Sequence, residues 1–145
     1  TLPANSGNYT VTQTVSGCSS AQSVAVSVTI NALPQDKTVT PTSATTICSG
    51  GTVTLQVAAS QSGINYEILD QLSNVVSGIV VGTGSDLAIT SNALSTSVTS
   101  LRVRATNAST TCSRLLDAAD AVVVNSIPSA LTINPTGPVV VCEGT

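Results

Sequence analysis

Hydrophobic and polar residues alternate along several short stretches of the chain. The clearest stretch is 52–57, where Val53, Leu55 and Val57 are separated by single polar residues, and residues 64–68 show the same alternation. Because the side chains of a β-strand point alternately to its two faces, this pattern predicts two strands that are each half buried. The residues predicted to face the core are Val53, Leu55, Val57, Ile64, Tyr66 and Ile68.

Further stretches of strand length are rich in Val, Thr and Leu and lie between turns rich in Gly, Asn and Ser. β-Branched residues favour pleated strands over helices. Seven or eight short strands in one domain are typical of a sandwich, so we predict an all-β fold made of immunoglobulin-like β-sandwich repeats. The further strands are predicted at 36–41, 44–47, 74–81, 86–90, 99–106 and 119–126.

The chain repeats itself at an interval of 94 residues. The stretch Ile30-Asn-Ala-Leu-Pro34 aligns with Val124-Asn-Ser-Ile-Pro128, so apolar residues fall on apolar residues and prolines on prolines. A period of this length indicates one whole domain repeated in tandem rather than a short solenoid unit. The other aligned pairs are Cys18 with Cys112, Thr38 with Thr132, Pro41 with Pro135, Thr42 with Thr136 and Cys48 with Cys142.

Pro34 and Pro128 set the predicted domain boundaries, because each follows a Val/Ile-rich strand that proline cannot continue. Residues 1–33 are expected to be the C-terminal part of one immunoglobulin-like repeat. Residues 34–127 are expected to form a complete repeat, and residues 128–145 to begin the next one. Short junctions that contain proline restrict bending, so we expect neighbouring repeats of the same chain to be partners in a semi-rigid rod.

Charge and composition exclude several classes of function. Only 8% of the residues are charged, and a net charge of −3 argues against binding to nucleic acid. The chain has no histidine, which removes Ser-His-Asp triads and the usual zinc sites, and it has no Gly-rich phosphate loop. No apolar run is long enough to span a bilayer. We therefore expect no enzyme activity, no cofactor, no metal and no membrane insertion in this segment.

Two kinds of motif lie at the predicted ends of the repeats. The closing motif is Gly7-Asn-Tyr-Thr-Val-Thr-Gln-Thr-Val-Ser-Gly-Cys18, followed by Ser23-Val-Ala-Val-Ser-Val-Thr-Ile30. The opening motif is Ile47-Cys-Ser-Gly-Gly-Thr-Val-Thr-Leu55, and it begins again at Val141-Cys-Glu-Gly-Thr145. Together they resemble the immunoglobulin-like repeats of large Bacteroidota cell-surface proteins. That resemblance implies a structural spacer of an extracellular adhesin or surface filament, such as the gliding-motility adhesins exported by type IX secretion.

The four cysteines form no Cys-x-x-Cys pair and have no histidine partner, which favours disulfides and therefore an oxidising, extracellular location. Cys48 and Cys112 are the only cysteines between residues 34 and 127, so a bond between them is the simplest pairing. Cys18 and Cys142 would then pair outside this sequence. In an ordinary immunoglobulin topology, however, these two positions lie at opposite ends of the domain, too far apart for a bond. The alternatives are a bond across a domain junction, from Cys48 to the next repeat's equivalent of Cys112, and reduced thiols.

Acidic side chains are the candidate ligands for a calcium ion, which needs six to eight oxygens that converge from several loops. No Asp-x-Asp-x-Asp loop is present, so we interpret these residues as solvated turn carboxylates. The candidates are Asp70, Asp86, Asp117 and Asp120.

Arg102 and Arg104 alternate with apolar residues and are expected on an exposed strand face, where we interpret them as residues that keep the surface soluble. The alternatives are an ion pair with Glu67 and binding of an anionic sugar. Two other functions are alternatives to that of a structural spacer. One is a carbohydrate-binding module that contacts surface glycans, although only two tyrosines are available as aromatic platforms. The other is a self-assembling fibre subunit joined to other copies of itself through strand edges.

Overall fold

The computed structural model describes residues 5–116, 120–132 and 137 of the chain. These residues form strands, turns and irregular segments, which confirms the predicted all-β class. None of them belongs to a helix long and apolar enough to cross a membrane. The strands are β1 (Gly7–Tyr9), β2 (Thr14–Val15), β3 (Cys18–Ser19), β4 (Val26–Val28), β5 (Val39–Pro41), β6 (Thr46–Cys48), β7 (Thr54–Val57), β8 (Ile64–Leu69), β9 (Val80–Val81), β10 (Leu87–Thr90), β11 (Val98–Asn107), β12 (Ser113–Leu115) and β13 (Asp120–Asn125).

Strands β5 to β13 form two sheets and are called the central domain below. In the smaller sheet, β7 lies between β5 and β10, and both pairings are antiparallel. The larger sheet has the order β6-β13-β11-β8-β9, with β12 also paired to β11. Its pairings are antiparallel except that β6 and β13 run parallel. The neighbouring strands β5 and β6 therefore belong to different sheets.

The inner faces of the two sheets share one hydrophobic core, consistent with a β-sandwich. All six side chains predicted to face the core are buried, with exposed fractions between 0% and 3%. Full burial of an aliphatic side chain typically contributes about 1.5–3 kcal/mol to stability. The largest side chains of this core that are less than 2% exposed are Tyr66, Leu55, Ile68, Ile89, Leu101, Leu116, Val53, Val57, Val103 and Val122.

Three buried serines, Ser60, Ser77 and Ser91, complete the hydrogen bonding of the core. The Ser91 hydroxyl accepts a hydrogen bond from Val53 N at 3.0 Å, and the Ser77 hydroxyl accepts one from Ile68 N at 2.8 Å. The Ser60 hydroxyl donates to a carbonyl oxygen in the loop before β10 at 2.6 Å. Serine side chains thus replace backbone partners where strand pairing stops, which satisfies polar groups that water cannot reach.

The predicted strand at 74–81 is regular only at β9. Before β9 the chain makes single bridges, Leu69 with Val75 on the larger sheet and Ser77 with Ser91 beside the smaller one. The segment therefore passes from the larger sheet to the smaller one before it returns to the larger sheet at β9. It cannot form a continuous strand with either sheet along this path. The alternation pattern also missed β12, whose three residues pair with the second half of β11.

The strands before residue 34 pair only with each other among the described residues, β1 with β4 and β2 with β3. Ser16 and Gly17 join β2 to β3 with φ angles of 49° and 87°, the positive values that two-residue hairpin turns require. The Tyr9 hydroxyl donates to Asn5 O at 2.6 Å, whereas Val103 stands 94 residues later in the central domain. The predicted start of another repeat at 128–145 lies largely outside the described residues.

Candidate functional site

The chain enters the central domain at one end, called the entry end below. Gln35 N donates to Gln61 Oε1 at 3.0 Å, which places the incoming chain beside the turn between β7 and β8. Ala108 N donates to Gly63 O at 3.4 Å, so the hairpin between β11 and β12 lies at the same end. The entry end comprises residues 35–38, 58–63 and 107–112.

The chain leaves at the opposite end, called the exit end. The parallel strands β6 and β13 both run toward it, with Cys48 in register with Asn125. Ser49 N donates to Asn125 O at 2.8 Å, and Gly50 N donates to Leu94 O at 2.8 Å. The exit end comprises residues 48–51, 94–97 and 125.

The structure does not form the Cys48–Cys112 disulfide that the sequence favoured, because the two residues lie at opposite ends. Cys48 ends β6 at the exit end, while Cys112 O accepts a hydrogen bond from Asn107 N at the entry end, at 2.9 Å. Strand β11 joins the two ends, and its 10 residues span about 33 Å, whereas a disulfide needs Cα atoms within about 7 Å. Cys18, Cys48 and Cys112 are all unpaired; Cys142 lies outside the described residues.

The Asp70 carboxylate organises the loop that follows β8. Its Oδ1 accepts hydrogen bonds from Leu72 N and Asn74 N, each at 2.8 Å, and its Oδ2 accepts one from Asn74 Nδ2 at 2.9 Å. The side-chain hydrogen bond from Asn74, supported by the two backbone bonds, lowers the pKa of Asp70 from its ordinary value of 3.8. Asp70 therefore acts as a turn residue whose carboxylate accepts three hydrogen bonds from its own loop.

Asp86 is engaged in the same way at the entry end, where its Oδ1 accepts a hydrogen bond from Ala59 N at 2.8 Å. Asp70 follows the other end of β8, so the two carboxylates do not converge. Asp117 lies outside the described residues, and for Asp120 only the backbone pairing with Leu101 is described. Within the described ranges, no group of three metal-ligating side chains comes together.

The outer face of the larger sheet carries an ion pair between Arg104 and Glu67, one of the alternatives considered for this arginine. Arg104 Nη2 and Nε donate to Glu67 Oε1 at 2.7 and 2.9 Å. The two residues are in register on β11 and β8, so strand pairing brings them together. Their side chains are 35% and 14% exposed, and water therefore screens the attraction only in part.

A groove of about 210 Å³ lies on the same face, beside Arg102. The alternation of hydrophobic and polar residues did not predict this groove. Leu69 is in register with Arg102 and lies on the outer face, where alternation predicts exposure, yet its side chain is buried. The hydroxyl oxygen of Ser100 is buried and has no hydrogen-bond partner among the described atoms. The groove is lined by Leu69, Asp70, Gln71, Ser73, Ser100, Arg102 and Leu115.

The chain matches no protein-family model and no curated protein sequence. What it does must therefore be inferred from its own residues and from the geometry of the two ends and the outer face.

Proposed function

We propose that the chain is part of a tandem array of immunoglobulin-like domains that acts as a structural spacer in an extracellular adhesin or surface filament. One observation carries this proposal: the chain enters the central domain beside Gln61 and leaves it at Asn125, at the opposite end. Domains with termini at opposite ends follow one another in a line. The 94-residue interval supports repetition of the same unit along that line.

The strand arrangement supports an immunoglobulin-like domain. Strand β5 pairs with β7 in one sheet, and β6 then pairs with the last strand, β13, in the other. The central strands of both sheets are antiparallel, and the inner residues alternate with outer ones. The hydrogen bond from the Tyr9 hydroxyl to Asn5 O is similar to the tyrosine corner of such domains.

The parallel pairing of β6 with β13 suits a domain that is pulled from its two termini. Tension would pull β6 toward the entry end and β13 toward the exit end, along the axis of both strands. The backbone bonds between them, together with Ser49 N to Asn125 O and Val123 N to Thr45 O at 2.8 Å each, would be loaded together. Bonds that share a shearing load must break together rather than one after another.

The test is the length of longer arrays. Proteins that carry one, two and three additional copies of residues 34–127 after the first are compared by small-angle X-ray scattering. Each copy is expected to lengthen the particle by about 40 Å, since β11 alone spans about 33 Å and turns cap both ends. Replacement of the first proline of each added copy, Pro34→Gly, is the matched control for stiffness and should broaden the distribution of lengths. Arrays whose length stays constant while their width grows would contradict the proposal.

A carbohydrate-binding module is a second candidate, favoured by the groove beside Arg102. Amide, hydroxyl and guanidinium groups line it next to the aliphatic Leu115, an arrangement that can bind a polar ligand with hydroxyl groups. Tyr66 offers no platform for a sugar, because it is 0% exposed. Binding of the intact chain on a glycan array, abolished by Arg102→Ala, would favour this candidate.

Self-assembly into a fibre is a third candidate. The edge strand β9 has only two residues, and apolar side chains near it are exposed, including Ile79 at 62% and Val81 at 56%. Such an edge can pair with another copy. Sedimentation velocity over a wide concentration range separates the two cases, because a spacer is expected to stay monomeric and a fibre subunit to associate.

A further inference from the structure

We propose that consecutive repeats are joined by a disulfide across each junction, from Cys48 of one repeat to the equivalent of Cys112 in the next. This inference rests on the proposed tandem arrangement and adds a covalent link to it. Cys48 and Cys112 cannot bond to each other inside one domain, because they lie at its opposite ends. Each of them therefore lies where a neighbouring repeat would adjoin the central domain.

The 94-residue interval assigns every cysteine in the sequence to one of the two ends. Cys18 and Cys112 are equivalent, and each follows a tight turn: Cys18 closes the β2–β3 hairpin opposite Val15, and Cys112 follows the turn after β11. Cys48 and Cys142 are equivalent in sequence, and Cys48 lies at the exit end. Each repeat therefore has one cysteine at its entry end and one at its exit end.

The junction is short enough to bring these two positions together. Asn125, in register with Cys48, is the last residue of β13, and Ser129 is the sequence equivalent of Gln35, which contacts the entry end. The four residue steps between Asn125 and Ser129 span at most about 14 Å. Cys48 and its partner in the next repeat are thus separated by a short linker, whereas Cys48 and its own Cys112 are separated by the length of the domain.

Both thiols are reachable, and their backbones are held in place. Cys48 is exposed, and its carbonyl accepts a hydrogen bond from Gly51 N at 2.9 Å. Cys112 is partly exposed, and its carbonyl oxygen accepts a hydrogen bond from Asn107 N. A thiol on a fixed backbone loses little conformational freedom when it forms a bond, so a correctly oriented junction would be closed efficiently.

The bond requires an oxidant, and a small-molecule disulfide such as oxidised glutathione supplies it. One cysteine thiolate attacks the glutathione disulfide, which forms a mixed disulfide and releases one glutathione thiolate. The cysteine across the junction then attacks the mixed disulfide and displaces the second glutathione. Two protein thiols and one glutathione disulfide thus become one protein disulfide and two molecules of reduced glutathione.

The test uses the full chain extended after Thr145 by a copy of residues 52–127, which completes the repeat that begins at Pro128. The protein is equilibrated in a glutathione redox buffer, its free thiols are alkylated, and its peptides are mapped by mass spectrometry. The expected result is one cross-linked peptide pair that joins Cys48 to the copied Cys112. Cys18, Cys142 and the original Cys112 should be alkylated, because their partner repeats are absent from this protein.

Two single substitutions form a matched pair of controls. Cys48→Ser should abolish the cross-link, and Cys142→Ser, at the equivalent position of the next repeat, should leave it unchanged. Alkylation of Cys48 in the folded protein, or its cross-linking to the original Cys112, would overturn the inference. Small-angle scattering of the same sample distinguishes the disulfide proposal from the spacer proposal. An elongated particle without the bond would contradict only the disulfide, whereas a compact particle would contradict both proposals.

Discussion

Gly82 lies directly after β9, where the chain passes over the buried Tyr66 ring. A Cβ atom at this position would collide with the carbonyl oxygen of Gln61 and would lie 2.8 Å from Tyr66 Cε2. The surrounding groups cannot move freely, because the Tyr66 hydroxyl accepts a hydrogen bond from Gln61 N at 2.8 Å. Gly82 N also donates to Ile64 O at 2.8 Å, which holds it against β8. We therefore predict that Gly82→Ala strongly destabilises the central domain.

The magnitude follows from which atoms must move. Overpacking a tight site by one methyl group typically costs about 1–3 kcal/mol, and here the obstacle is backbone rather than a flexible side chain. Displacement of Gln61 would also break its hydrogen bond to buried Tyr66, which adds about 1–3 kcal/mol. Alanine restricts the unfolded chain and offsets about 0.4–1 kcal/mol of this loss. We expect Gly82→Ala to lower the free energy of unfolding by about 3 kcal/mol, or Tm by roughly 12–24 °C for a domain of this size.

Thermal and urea unfolding of the full chain, followed by circular dichroism, measures this effect. Gly78→Ala is the matched control, because Gly78 precedes the same strand and a Cβ there would have no heavy atom within 4 Å. That variant should unfold at the temperature of the unsubstituted chain or slightly above it. If Gly82→Ala and Gly78→Ala unfold at the same temperature, the packing described between β8 and the segment after β9 is refuted.

Three further substitutions test individual hydrogen bonds and charges by urea unfolding. Ser91→Ala leaves a buried backbone N–H without its acceptor and should cost about 1–3 kcal/mol, whereas Ser95→Ala, at an exposed serine of the following loop, should be neutral. Arg104→Ala should cost about 1 kcal/mol or less, and less still in 1 M salt, while Arg102→Ala should have no such salt-dependent effect. The pKa of Asp70 is lower in the folded chain than its ordinary value of 3.8, so the ionised carboxylate stabilises the fold above pH 3.8. This stabilisation is lost as the pH falls from 3.8 through the pKa of Asp70 in the folded chain. Asp70→Asn should therefore reduce the loss of stability in acid.

The core could be predicted from the sequence because alternation is a local property. Val53, Leu55 and Val57 face inward as the period of two requires, and the pattern holds again from Ile64 to Ile68. Glu67, which alternation places on the outer face, pairs there with Arg104, although exposure for solubility was the favoured interpretation of the two arginines. Which of the two arginines pairs with Glu67 depends on the register between β8 and β11, and therefore on the tertiary structure.

The connections and the groove could not be predicted in this way. The segment at 74–81 has the composition of a strand, but the Ser77 hydroxyl replaces a ladder partner of Ile68 N and the chain crosses between sheets there. Leu69 is buried on the face that alternation assigns to solvent, because the following loop and Arg102 surround it in the groove. Such burial depends on residues that are distant in sequence.

The cysteines show most clearly why counting residues is not enough. Cys48 and Cys112 are the simplest pair by number, yet their separation is decided by the parallel pairing of β6 with β13. If β6 ran in the opposite direction, its last residue Cys48 would lie at the entry end, near the turn that carries Cys112. Parallel pairing instead moves Cys48 to the exit end beside Asn125 and leaves Cys112 at the entry end. The same pair of strands thus prevents a bond inside the domain and, in a tandem array, places both cysteines at the junctions.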